Sequence, residues 1–119
     1  MAAPNIVNVT AIYGRTTTLA ATTTPQTLIN NAGSSNKVFK VNSLIVSNVN
    51  GTAAADITVD HYRGATATRL AFSVSVPAKS TLVVLSKDTS IYLEEGDSIR
   101  MTASVNSYLE GVASYEEVS

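Results

Sequence analysis

The chain has 119 residues, 45% of them hydrophobic and only 14% charged, with a formal net charge of −1 and no cysteine. This length suffices for one domain with a core of its own. The lack of a basic excess argues against nucleic-acid binding, no apolar run is long enough to cross a membrane, and disulfides and thiolate metal sites are excluded. Residues 1–5 have neither the basic region nor the apolar stretch of a signal peptide, so we expect none.

The first third of the chain predicts short, weakly apolar strands. Apolar residues recur over Ile6 to Tyr13, which predicts a first strand ending at Gly14. Thr16 to Thr23 is mostly polar, which predicts an edge strand or an extended arm. Thr27 to Asn30 predicts a short strand, and the Asn-, Gly- and Ser-rich stretch after it predicts a loop.

A change in composition near Lys37 divides the chain. We predict a Thr/Ser-rich N-terminal segment over 1–36, partly an extended arm or an edge strand, and a β-sandwich core over 37–119. Part of the segment is expected to lie outside the core or on a neighbouring subunit, so deleting residues 1–30 should leave a folded core. Six apolar side chains of the segment form the candidate assembly interface: Ile6, Val7, Val9, Ile12, Tyr13 and Leu19.

The rest of the chain shows clearer strand patterns. Val38 to Asn48 carries apolar residues on both parities, which predicts burial of both faces along part of this strand. In Thr68 to Val76 the larger apolar residues, Phe72 among them, share one parity, which is typical of a strand with one wet face. Further strands are predicted over Ala55 to Tyr62, Thr81 to Leu85, Ile91 to Leu93, Ser98 to Val105 and Leu109 to Glu116.

About eight to ten short strands, with turns every 8 to 12 residues, predict an all-β fold. The architecture is a single antiparallel β-sandwich, jelly-roll-like or immunoglobulin-like (Ig-like). Parallel pairing would need longer connections than this chain offers. A Greek key and a meander share this strand pattern, so the order of pairing stays open. No window has a sustained helical period, and no long helix is predicted.

The sequence offers little for catalysis. His61 is the only histidine, and its neighbour Asp60 should point to the opposite face of the strand and cannot orient it. Glu94, Glu95 and Asp97 are typical of a solvated turn, with a weak cation site as the alternative, since the spacing of a calcium loop is absent. There is no glycine-rich phosphate loop and no nucleophile elbow. We predict no enzyme: no catalytic residues, no cofactor and no metal.

The surface composition favours an assembly subunit. The chain has 15 Thr and 14 Ser in place of much of the usual charge, and interfaces are depleted in charge. Glu116 and Glu117 are expected in a solvated tail. Tyrosines stack on sugar rings in glycan-binding proteins, and Tyr62, Tyr92 and Tyr108 are the first candidates for such a site if they lie together at one end of the sandwich.

The second half of the chain carries a resemblance to known proteins. Its most telling pieces are Val-Pro-Ala-Lys-Ser-Thr-Leu-Val-Val-Leu over residues 76–85 and Ile-Tyr-Leu-Glu-Glu-Gly-Asp-Ser-Ile-Arg-Met-Thr-Ala over residues 91–103. This resembles small virion structural proteins and fibre-like modules of tailed bacteriophages, particularly those of marine cyanobacteria. The resemblance implies a β-sandwich particle subunit on the capsid, neck or tail. It brings no catalytic or metal-binding residues with it.

The leading hypothesis is a non-catalytic virion structural protein, first of all a capsid decoration protein that assembles by lateral subunit contacts. The alternatives are a neck or tail/fibre component and a host-surface glycan-binding β-sandwich module. The expected partners are the major capsid protein or neck and tail proteins, together with further copies in a homo-oligomer, and neither nucleic acid nor membrane. The expected location is the virion, assembled in the cytoplasm of the bacterial host.

Overall fold

The computed structural model describes residues 4–119, which form nine β-strands and one 3₁₀ turn at Lys87–Thr89. Residues 1–3 of the predicted N-terminal segment lie outside the described residues. No helix within residues 4–119 has the length and apolar character needed to cross a membrane. The strands are β1 (Ile12–Ala20), β2 (Gln26–Asn30), β3 (Val38–Asn48), β4 (Ala55–Arg63), β5 (Thr66–Val76), β6 (Thr81–Leu85), β7 (Ile91–Leu93), β8 (Asp97–Ala103) and β9 (Leu109–Val118).

The strands form two antiparallel sheets that pack face to face. Sheet A has the order β1-β9-β3-β6, with β7 also paired to β3, and sheet B has the order β2-β8-β4-β5. The pairs β1–β9, β2–β8, β3–β6/β7 and β4–β5 are nested, as in one long hairpin with its tip between β4 and β5. Rolling this hairpin up places alternate pairs in opposite sheets, which is the jelly-roll arrangement. The predicted antiparallel β-sandwich is confirmed.

The core lies between the sheets and follows from strand alternation. In β8, Ile99 and Met101 are fully buried and Ala103 is nearly so, as the pattern predicted. The inner faces of the two sheets supply the larger core side chains: Leu44, Ile57, Leu93, Ile99, Met101, Leu109, Val41, Val46, Val59 and Val76.

A bulge explains most of the apolar residues on both parities of β3. The register against β9 shifts between Val41 and Ser43, so the inward-facing parity changes there. Val41 before the shift and Leu44 and Val46 after it are all fully buried. Both faces of β3 are buried at its start, where the adjacent Val38 and Phe39 are both buried, as predicted for part of this strand.

Another bulge overturns the prediction for Phe72. The register between β4 and β5 shifts on both sides of Val59, and Ser73 has a φ of 48°. This irregularity turns Phe72 outward, where it is 65% exposed. The expected continuous apolar face of β5 was therefore wrong at this position.

The first N-terminal strand differs from the predicted ones in position, whereas β2 matches the strand predicted over Thr27 to Asn30 to within one residue. β1 begins at Ile12 and continues through Gly14, which was expected to end a strand. β2 places Leu28 and Ile29 in the core, at 6% and 2% exposure. The core thus contains residues on both sides of position 37. Deleting residues 1–30 would remove three core side chains, those of Ala21, Leu28 and Ile29. That the remaining chain keeps a folded core stays a prediction.

Candidate assembly interface

Strand β1 forms one edge of sheet A and is hydrogen-bonded on one side only. Within residues 4–119 it pairs with β9, from Ile12 opposite Val118 to Ala20 opposite Glu110. Proteins commonly protect such edges with proline, lysine, bulges or very short strands. β1 has none of these: it is nine residues long, pairs without a register shift and contains one charged residue, Arg15. This edge is open to pairing with another strand.

Hydrogen bonds beside β1 identify the backbone groups that point to the open side. Ala11 and Ser119 exchange both backbone bonds, at 3.0 and 2.9 Å. Because antiparallel pairs alternate between bonded and non-bonded, the odd-numbered residues of β1 bond to β9. The amide and carbonyl groups of the even-numbered residues therefore point away from the sheet, which gives five donors and five acceptors along this edge. These residues are Ile12, Gly14, Thr16, Thr18 and Ala20.

The region where the chain enters β1 carries the exposed apolar side chains of the predicted interface. Ile6 and Val7 lie in a turn and are 54% and 90% exposed, and Val9 after it is half-buried. Ile12 and Tyr13, at the start of β1, are each 56% exposed. The structure therefore gathers five of the six predicted interface residues near one end of the open edge.

Leu19 is placed differently from the other predicted interface residues. It lies near the opposite end of β1, where it is half-buried and packs against the core. Its register partner on β9 is Gly111. Leu19 thus helps to hold β1 on the sandwich, and a role of all six residues in assembly stays a prediction.

Glu117 was expected in a solvated tail, but it forms ion pairs that hold β1 on the sandwich. Its carboxylate accepts hydrogen bonds from Lys37 Nζ at 2.6 Å and from Arg15 Nε at 3.2 Å, and the residue is only 9% exposed. The bond from Lys37 lowers the pKa of Glu117 below its usual range; burial opposes this shift, and Arg15 adds to it. The expectation was wrong because β9 extends through Val118 and keeps Glu117 within the sheet.

The outer face of sheet A is poor in charge around an apolar row that the sequence alone did not reveal. Val112 lies opposite Ile45, and Ile45 lies opposite Val83. Val83 is 59% exposed, while the other two are half-buried. Thr18 continues the row onto β1. Register between distant strands creates this row, so it could not be found by alternation within one strand.

Asp97 organises a charged cluster at one end of the sandwich. Its carboxylate is almost fully buried and accepts two bonds of 2.7 Å from Arg63, one of 2.9 Å from the Glu94 amide and one of 3.2 Å from His61 Nε2. Burial raises the pKa of Asp97, but the bonds from Arg63, the Glu94 amide and His61 outweigh it and lower the pKa overall. Sequence reasoning missed the partner of His61, because β4 and β8 bring the two residues together.

The acidic turn is not arranged as a cation site. The Glu94 carboxylate binds Arg63 Nη2 at 2.8 Å, and Glu95 accepts the Asn36 amide at 2.9 Å. Among residues 4–119, no three His, Asp or Glu side chains are grouped so as to hold a metal ion. The carboxylates of this turn instead neutralise Arg63 and close the loop before β8.

The remaining sequence-predicted groups are dispersed. Asp60 binds Arg69 at 2.6 Å and not His61, as expected for neighbours on opposite faces. Tyr92 lies opposite Lys40 near the start of β3, whereas Tyr108 precedes the residue that pairs with Asn48 at its end. Eight residues of strand separate these positions, about 26 Å, so the three candidate tyrosines do not gather at one end.

Two solved structures share this fold at low sequence identity. A chain of the acid-stable capsid of Helicobacter pylori bacteriophage KHP30 gives a TM-score of 0.55 at 8% identity, over 94% of this chain and 90% of that one. A chain of Bacillus endospore appendages, a family of disulfide-linked pili, gives a TM-score of 0.54 at 14% identity, over 92% of this chain and 87% of that one. No protein-family model and no curated protein matches the sequence. The similarity to the two solved structures establishes a common fold.

Proposed function

We propose that the chain is a non-catalytic structural subunit of a bacteriophage particle, in the first place a capsid decoration protein that assembles by lateral subunit contacts. The observation that carries the proposal is the open edge of β1, which has nine residues and no protecting proline, lysine or bulge. The exposed apolar side chains of Ile6 and Val7 in the turn before β1, and of Ile12 at its start, supply surface to bury against a neighbour.

Two further observations support this role. The sequence resembles small virion proteins of tailed phages over residues 76–85 and 91–103, with marine cyanophages as the proposed group. The fold is shared with a chain of a phage capsid and with a chain of pili, both of which are assemblies. The pili are disulfide-linked, whereas this sequence has no cysteine, so the proposed contacts between its copies include no disulfide.

The proposed mechanism is addition of a strand to the edge of sheet A. A strand laid against β1 would meet five outward-pointing amides and five carbonyls, and each hydrogen bond contributes about 0.5–1.5 kcal/mol net. The partners are further copies of this chain and the major capsid protein, or neck and tail proteins if the subunit sits elsewhere on the particle. Assembly would take place in the cytoplasm of the bacterial host, and the product would be the virion.

A matched pair of proline substitutions tests the edge. The Thr16 amide points to the open side, so Thr16→Pro removes an outward donor and blocks an incoming strand while leaving the bonds to β9. The Thr17 amide faces β9, so Thr17→Pro removes a bond of the sheet itself. We expect Thr16→Pro to melt within a few degrees of the parent, and Thr17→Pro to melt well below it.

Assembly is read by light scattering after gel filtration and by binding to particles that lack this protein. Thr16→Pro should abolish oligomers and particle binding despite its intact fold. If Thr16→Pro assembles and binds like the parent, the open edge is not the contact and the proposal fails.

Copy number and immunogold position on purified particles decide the location. Hundreds of copies over the head support the decoration role. A dozen or so copies at one vertex or along the tail assign the subunit to the neck or tail/fibre. Absence from particles refutes the virion role altogether.

A further inference from the structure

A groove on the outer face of sheet B has chemistry that the assembly role does not use. It has a volume of about 320 Å³ and lies on the side of β4, β5 and β8 that faces away from the core. The lining contains two arginines, one carboxylate, two threonines and an exposed aromatic ring. The residues that line it are Pro25, Thr58, Asp60, Ala67, Arg69, Phe72, Arg100 and Thr102.

Strand register places a row of charges along this groove. Asp60 on β4 lies opposite Arg100 on β8 and opposite Arg69 on β5. The carboxylate, only 3% exposed, is bonded to Arg69 Nη1 at 2.6 Å. The row therefore holds two positive charges and one negative charge. Of the two arginines beside it, Asp60 forms its ion pair with Arg69.

Arg100 has no acidic partner among residues 4–119. Its Nε is buried without a hydrogen-bond acceptor, and the guanidinium carbon lies 3.8 Å from the centre of the Tyr62 ring. Stacking on Tyr62 holds the planar group in one position, with its Nε unpaired. Buried polar groups are normally hydrogen-bonded, so the unpaired Nε makes Arg100 the cation of this groove that the described residues leave unsatisfied.

Phe72 forms the apolar side of the groove. It is 65% exposed because the bulge in β5 turns it outward, and the Arg69 guanidinium carbon lies 5.2 Å from the centre of its ring. Exposed aromatic rings present a flat apolar face, and the hydroxyls of Thr58 and Thr102 lie along the same groove.

We propose that this groove binds an acidic saccharide, that is, a sugar ring carrying a carboxylate. The carboxylate pairs with Arg100, the apolar face of the ring stacks on Phe72, and sugar hydroxyls bond to Thr58 and Thr102. A single unpaired cation suits one carboxylate and is too little for the phosphates of a nucleic acid. The proposal is independent of the assembly role, because the groove lies on a sheet face and not at the β1 edge.

Titration of the purified full chain with tetragalacturonate, followed through backbone amide NMR signals, tests the proposal. The fully methyl-esterified tetramer is the neutral control of equal length, and acetate is the control for a carboxylate without a sugar. We expect saturable binding of tetragalacturonate with shifts at Thr58, Phe72 and Thr102. Both controls should bind at least about tenfold more weakly.

Three variants locate the site. Arg100→Met and Phe72→Ala should each weaken tetragalacturonate binding about tenfold or more. Phe72 is exposed, so Phe72→Ala tests the groove even if Arg100→Met does not fold. Lys87→Met, in the exposed 3₁₀ turn, removes the same charge elsewhere and should bind like the parent.

The proposal is overturned if tetragalacturonate does not bind at millimolar concentration, or if its shifts map away from the groove. It is also overturned if the methyl ester binds equally well, since recognition would then not need the carboxylate. Acetate binding as strong as that of the sugar would reduce the groove to a general anion site and refute a saccharide ligand.

Discussion

The buried side chain of Asn31 provides a sharp test of how the fold is held together. It is fully buried, and its Nδ2 donates to the carbonyl oxygens of Lys37 at 2.9 Å and Leu93 at 3.0 Å. Its Oδ1 accepts the Ser35 hydroxyl. One amide thus joins the end of β2 to β7 and to the loop before β3. Asn31→Asp keeps the shape of the side chain but replaces the donor with an acceptor.

The cost of Asn31→Asp can be worked from these contacts. Two hydrogen bonds of about 1 kcal/mol net each are lost, and the buried Leu93 carbonyl loses a partner at about 1–3 kcal/mol, whereas the Lys37 carbonyl is only part-buried. Allowing for partial rearrangement, we expect a loss of about 3–5 kcal/mol in the free energy of unfolding at pH 7. That is a large share of the about 5–15 kcal/mol typical of a domain, and it should lower the melting temperature by roughly 15 °C.

The loss should depend on pH in a defined direction. Burial and the two carbonyl oxygens raise the pKa of the introduced carboxyl in the folded state above its unfolded value. Its protonated form can donate one bond, so the loss is smaller below the unfolded pKa and grows as pH rises through the folded pKa. Urea unfolding, followed by circular dichroism at pH 4 and pH 7, gives the difference from the parent at each pH.

The adjacent residue supplies the control. Asn30 is exposed on the opposite face of β2, so Asn30→Asp makes the same chemical change without the buried contacts. We expect it to change stability by about 0.5 kcal/mol or less. A loss below about 1 kcal/mol for Asn31→Asp, or one equal at both pH values, would refute the reasoning.

Two further predictions concern acid stability and packing. Asp97 and Glu117 have lowered pKa values in the folded state, so their stabilisation is present above their unfolded pKa values and is lost as pH falls through the folded ones. The melting temperature should therefore fall at pH values below about 4. This fall, measured relative to pH 7, should be smaller for Asp97→Asn. Gly111→Ala would place a Cβ 2.7 Å from Met101 Sδ and closer still to its Cε. We expect about 1–3 kcal/mol of destabilisation from overpacking, partly relieved by adding Met101→Val; equal melts for the parent and Gly111→Ala would contradict it.

Local alternation was enough to predict the architecture. β3 was predicted residue for residue, because a run from Val38 to Asn48 is apolar and ends at the Asn50-Gly51 turn signal. β8 was predicted with the correct buried face, since its apolar residues alternate strictly. Strand number and antiparallel packing followed from such segments.

What alternation could not supply was the register between paired strands. Phe72 was assigned to the core because a bulge leaves no mark in a strict apolar repeat. Asp97 was read as part of a solvated turn, although the pairing of β4 with β8 places it against His61 and Arg63. The groove that Arg100 helps to line also combines residues from separate strands. Each of these features depends on contacts that no single segment contains.

The nested pairing has a consequence for how the chain folds during synthesis. β9 lies between β1 and β3, and β8 lies between β2 and β4, so each sheet has an inner strand that leaves the ribosome late. β1 pairs with residues about one hundred positions away, and such non-local pairing is slow. Until β9 has emerged, β1 lacks the strand with which it pairs in sheet A. An incomplete chain therefore cannot present the β1 edge in its final position, which would keep unfinished molecules out of an assembly.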